Sequence, residues 1–183
     1  MRWDDLFADL EGQLASAGQL EHEAQVAEFV RAEQGAVGLT DRMRAHTTQP
    51  VDVLLKADVR LYGRLGQVAE AWFILQTPRY RALVPFAALL TVNGLTRSVR
   101  AEGSTVRRTA SFASCLRALA RDRAIVTCLI DGGRAEAVAV VGVIDTVGAD
   151  YLEVTPARGD FGSAAGGSVV VRFGALVAVR SDT

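Results

Sequence analysis

The chain has 183 residues, half of them hydrophobic, which is enough apolar material for a core and sets it apart from a disordered chain. Its 20 basic and 21 acidic side chains nearly cancel, so no bulk charge draws it to nucleic acid. The longest apolar runs, such as Ala82 to Leu90, fall far short of the ~18 residues that cross a bilayer, and the first residues include Asp4, Asp5 and Asp9 where a leader would carry Lys or Arg, so a cytoplasmic protein is expected.

In chain order, residues 3–17 spell an amphipathic helix. Trp3, Leu6, Phe7, Leu10 and Leu14 recur at helical spacing, and acids fill the opposite face. A second helix is expected from about Leu20 to Glu33, stopped by Gly35. Together they read as a helical hairpin over residues 1–36. Its apolar stripe needs a surface to cover it, on its own chain, on another copy in a homo-oligomer, or on a different protein. The charge is uneven here: residues 1–36 hold eight acids against two bases, and the rest of the chain holds thirteen acids against eighteen bases. The acidic segment could therefore mask a basic body.

Thr40 is placed to cap a short helix through Ala45. A β region then opens at Pro50. Strands are expected over Val51 to Lys56, Arg60 to Val68, Ala71 to Leu75, Arg81 to Val84 and Leu89 to Val92, with short links that carry Gly, Pro, Asn or Asp. Residues 97–108 read as a basic linker. A helix follows at about Ser111 to Arg121, with Phe112, Cys115, Leu116 and Leu119 on one face. Strands return over Ala124 to Ile130, Glu136 to Val147, Tyr151 to Thr155, Ser168 to Arg172 and Val177 to Arg180.

Two stretches of this β region correspond. Laid together without a gap, Gly63 meets Gly142, Leu65 meets Ile144, Val68 meets Val147 and Trp72 meets Tyr151. Val84 to Val92 likewise corresponds to Val171 to Val179. A mid-strand glycine lets a strand bend sharply. Each copy, at about 50 to 60 residues, is marginal for a core of its own. The two are expected to pack together, with Phe73, Leu75, Leu89, Ile144, Leu152 and Leu176 in the core.

A helix followed by five bent strands, with a turn around Phe-x-Ala-Leu before the last, resembles the Sm-like (LSm, Hfq-type) fold and its SH3-like relatives. Gly142 to Asp145 with Tyr151 to Val154 is similar to the first Sm segment, and Phe173 to Val179 to the second. The resemblance implies an α+β, mainly β protein: a helical hairpin (1–36), a first five-stranded barrel (37–96), the linker (97–108) and a second barrel (109–183), each barrel preceded by a short helix. It also implies RNA binding in rings. Where such proteins carry an Asn and an Arg-Gly pair for RNA, this chain has Ala149-Asp150 and Val171-Arg172-Phe173. The opening Met1 to Phe7 is similar to an uncharacterised actinobacterial protein family.

Catalytic constellations are scarce. His22 and His46 stand far apart with no Cys or acid at ligand spacing, so surface histidines are expected and no metal or cofactor is implied. Cys115 and Cys128 read as core thiols. No nucleophile elbow or phosphate loop occurs. The candidates for contact with nucleic acid are Arg97, Arg100, Arg107 and Arg108, with Tyr80 between Arg79 and Arg81 as a stacking aromatic. The sequence therefore favours a non-enzymatic assembly or protein-interaction module that works through the N-terminal helices. RNA binding in post-transcriptional regulation is the alternative.

Overall fold

A computed structural model describes residues 37–157 and 167–182, together with scattered positions from His22 to Ala36. The expected helix over 3–17, with Trp3, Leu6, Phe7, Leu10 and Leu14, lies outside the described residues. The described positions between 22 and 36 are helical, and Gly35 and Ala36 are among them. Gly35 therefore does not stop that helix: the chain leaves it at Val37. No helical hairpin is seen among the described residues. The chain divides into two compact units, Met1–Gly38 and Leu39–Thr183.

The second unit is mainly β. Among its described residues are three short helices, α1 (Leu39–Arg44), α2 (Thr105–Thr109) and α3 (Phe112–Arg121). Its strands are β1 (Pro50–Leu55), β2 (Arg60–Val68), β3 (Trp72–Gln76), β4 (Tyr80–Pro85), β5 (Leu89–Asn93), β6 (Ile125–Ile130), β7 (Val138–Val147), β8 (Tyr151–Pro156), β9 (Val169–Arg172) and β10 (Leu176–Asp182). Strict alternation makes β1 and β2 strands: Val51, Val53 and Leu55 point inward, as do Leu61, Gly63 and Leu65. The β1–β2 link, residues 56–59, turns at Ala57 and Asp58, which both take positive φ, 54° and 50°, matching the right-handed twist of the hairpin. Ser111 caps α3 by accepting from the Ser114 N–H, and the apolar side of that helix buries Leu116. The basic linker read over 97–108 is in part helical: Ser104 caps Thr105–Thr109 by accepting from the Arg107 N–H.

The ten strands form one antiparallel sheet in the order β5-β1-β2-β3-β4-β10-β6-β7-β8-β9. This corrects the expectation of two closed barrels and, with it, the tandem Sm-like or SH3-like reading. The sheet is open: β5 pairs only with β1, and β9 only with β8. The two sets of strands merge because β4 gives its outer edge to β10, Leu83 standing opposite Val179 and Tyr80 opposite Asp182.

Burial explains why this edge cannot stay exposed. Ala82 and Val84 of β4 enter one hydrophobic core while Leu83, on the opposite face, enters a second. On β10, Val177 and Ala178 join the first core, and Leu176 and Val179 the second. Strands buried on both faces belong inside a sheet, not at its edge. The first core gathers around Met43, Leu55, Leu65, Phe73 and Leu75, with Leu89 packed at its margin. The second gathers around Leu116, Ile144, Leu152 and Leu176 and takes Trp72 from β3.

The two glycines that correspond in sequence sit where neighbouring strands come very close. A Cβ on Gly63 would collide with the Gln76 carbonyl oxygen, and one on Gly142 with that of Thr155. Only a residue without a side chain lets β2 and β7 bend so closely against their neighbours.

Candidate functional site

The most built-up polar feature lies where α1, the end of β2 and residues 96–108 meet. Thr96 is pinned from two sides. The Arg42 guanidinium donates to its carbonyl oxygen through Nε (3.2 Å) and Nη2 (2.8 Å). His46 Nε2 lies 2.8 Å from the Thr96 N–H and accepts from it, which assigns the ring proton to Nδ1, 2.7 Å from the Arg42 carbonyl oxygen. His46 is only 4 % exposed, so it is a buried clasp and not the surface histidine that the sequence suggested. The reason is its place directly after α1, against the segment that follows β5. His22 is exposed. Further along, the Arg100 N–H donates to the Asp41 carbonyl oxygen, and the Glu70 N–H to that of Arg108.

These ties leave a cavity of about 400 Å³ lined by Arg44, Gln67, Arg100, Glu102 and Arg107, among others. Arg44 is one of the lining residues. The residue is 7 % exposed; its Nε donates to the Val68 carbonyl oxygen at 3.0 Å and its Nη1 to Asp41 Oδ1 at 2.6 Å. Its Nη2 is buried and has no hydrogen-bond partner among the described residues. Glu102 turns its carboxylate to the Ser104 N–H at 2.9 Å. Three arginines, Arg44, Arg100 and Arg107, and one carboxylate, Glu102, are thus gathered around one space.

Of the seven nucleic-acid candidates, the cavity takes in Arg100 and Arg107. Arg108 turns to Glu70, 3.3 Å away. Arg97 is exposed near the Thr96 clasp, and Arg79 is exposed in the β3–β4 turn, its N–H donating to Thr77 Oγ1. The Tyr80 ring is covered by the Arg180 guanidinium, 4.8 Å from its centroid, and Arg81 lines a different depression with Ile74, Leu83 and Cys115. Sequence reasoning missed Arg44. The one signal was its spacing three residues after Asp41 on a helix, which brings opposite charges onto one face.

Burial pushes the Cys128 thiol up to about 12 and the half-buried Cys115 thiol up as well, so both are held as neutral thiols, and neither is disulfide-bonded. Among the described residues no group of three or more His, Cys, Asp and Glu is placed to hold a metal ion, and no helix is long and apolar enough to cross a membrane. No protein-family model, curated protein or solved structure matches this chain.

Proposed function

We propose that the protein is a non-enzymatic assembly module that joins to other protein strands through the edges of its sheet. The observation that carries this reading is the β4–β10 joint inside the chain. The strand order on either side of that joint is the same, β5-β1-β2-β3-β4 and β10-β6-β7-β8-β9. Each set makes the same backbone bonds around its 3-10 turn. Lys56 N–H donates to Ala88 and Asp131 N–H to Ala175; Phe86 N–H donates to Ala71 and Phe173 N–H to Asp150. By this correspondence β9 offers the edge that β4 uses, and β5 the edge that β10 uses.

Unpaired strand edges are templates for further strands. Both outer strands expose an apolar side chain, Leu90 on β5 and Val170 on β9, at 57 % and 60 %. A second copy is the simplest strand of matching register. Counting from the 3-10 turns, Val170 of one copy would face Val92 of the next, as Leu83 faces Val179 within the chain. Such a contact is head-to-tail, so it closes a ring or grows a filament.

The test is molar mass by light scattering across a concentration series, for the parent and for Val170→Lys. A parent that associates and a folded variant that does not would support the reading. A parent that stays monomeric at every concentration would end it. RNA binding is the weaker reading, because Arg108 is paired with Glu70 and Tyr80 is covered by Arg180.

A further inference from the structure

Alternation along β2 sends Arg60, Tyr62 and Arg64 out of the sheet on one face, while Leu61, Gly63 and Leu65 point inward. Tyr62 is 67 % exposed, so most of its ring stands in water. Strand pairing extends this face sideways. Arg64 lies opposite Gln76 of β3, and Gln76 opposite Arg81 of β4, and all three are exposed. Two strand spacings put the backbones of Arg64 and Arg81 roughly 10 Å apart. Arg60 pairs with Asp58 at 3.5 Å, whereas Arg64 and Arg81 enter no ion pair among the described residues. Asp52 of β1 lies opposite Tyr62.

The strand itself does not call for these side chains. In the corresponding stretch of β7, Ala139, Val141 and Val143 stand where β2 has Arg60, Tyr62 and Arg64, and Ser168 stands where β4 has Arg81. The same strand setting is thus met by small and aliphatic residues, Val141 being 45 % exposed. An exposed ring between two arginines belongs to one set only.

We propose that this face of β2, β3 and β4 is a platform for single-stranded nucleic acid. The Tyr62 ring stacks on a base, since every base has a π-face, and Arg64 and Arg81 contact phosphates of the same strand. Asp52 offsets part of the positive charge, so stacking carries a large share of the affinity. Two phosphate contacts on a single strand set a shallow slope, about −1.4 in log affinity against log salt. A duplex keeps its bases stacked on one another and denies Tyr62 its contact. The platform lies on the face of the sheet and uses neither the β5 nor the β9 edge.

The experiment is fluorescence anisotropy of labelled short RNA and DNA single strands, and of a duplex of the same length, titrated with the full chain across a salt series. The single strands are expected to bind more tightly than the duplex, and the tighter of the two identifies the preferred sugar. Tyr62→Ala should weaken binding about tenfold or more, while Tyr62→Phe, which keeps the ring, should stay within about twofold of the parent. Arg64→Ala and Arg81→Ala should each make the salt slope shallower by about 0.7. The three side chains are exposed, and circular dichroism establishes that each variant is folded. No binding by the parent, unchanged affinity in Tyr62→Ala, or a Tyr62→Phe variant as weak as Tyr62→Ala would overturn the proposal. Tighter binding of the duplex would overturn it too, leaving a charged patch without a stacking site.

Discussion

The Trp72 indole Nε1 donates to the Ala110 carbonyl oxygen over 2.7 Å, from a ring that is 1 % exposed. Trp72 opens β3, yet its side chain packs in the core of the second set of strands. One residue thus fastens β3 to the segment that leads into α3. Trp72→Phe removes the bond and leaves the carbonyl oxygen unpaired, so the unfolding free energy should fall by roughly 1–3 kcal/mol in urea titration. Trp72→Ala should cost about 3–5 kcal/mol. A Phe variant as stable as the parent would show that the bond adds nothing.

The crossing glycines make a sharper case. Gly142→Ala places a methyl group against the Thr155 carbonyl oxygen and the Val154 side chain, and Gly63→Ala meets Gln76. Backbone must move in both, and a loss of about 1–3 kcal/mol or more is expected. Gly174 has open space around it, so Gly174→Ala should stay within about 0.5 kcal/mol of the parent. Thermal melts of the three variants side by side would settle the ranking.

His46 should act locally. With His46→Ala, Thr96 loses the acceptor for its N–H, and its amide should exchange with deuterium about ten to a hundred times faster, the equivalent of a hydrogen bond worth roughly 1–3 kcal/mol. Leu61, paired with Val53 at the centre of a hairpin, serves as the reference amide and should not change. Equal acceleration at both would mean that His46 supports the whole fold and not the Thr96 clasp.

Cys128 gives stability a pH dependence at the alkaline end. Its thiol is pushed from an ordinary 9.0 up to about 12 by burial. Below pH 9 the folded and unfolded chains both keep the proton, and pH has no effect through this group. Between about 9 and 12 the unfolded chain gives it up while the folded chain retains it, so stability falls as pH rises. The slope has a ceiling of about 1.4 kcal/mol per pH unit. Subtracting the same titration of Cys128→Ala isolates it from Tyr, Lys and Arg; identical slopes would refute the assignment.

Much of the local structure is legible in the sequence. Alternation in Pro50–Leu55 and Arg60–Val68, the Phe86 and Phe173 turns, and the apolar face of the helix from about Ser111 to Arg121 all mark elements that form where the residues place them. That the two sets join in one open sheet instead of closing as separate barrels is not legible, because it turns on one long-range pairing. Nothing local says that Leu83 will lie opposite Val179; the only hint is that β4 and β10 carry apolar residues at successive positions, which fits burial on both faces. The cavity escapes for a similar reason. Arg100 and Arg107 stand in a visibly basic stretch, whereas Arg44 looks like an ordinary helix charge until the β2 strand and the 96–108 segment fold over it.

The position of β10 has a consequence for biosynthesis. Of the ten strands it is translated last, yet it occupies a place in the middle of the sheet, between β4 and β6. Until residues 176–182 leave the ribosome, two inner edges stay unsealed side by side, and nascent chains on one polysome could trade strands there. This strand acts as a zipper slider, and the interval before its arrival is when the sheet is most exposed to misassembly.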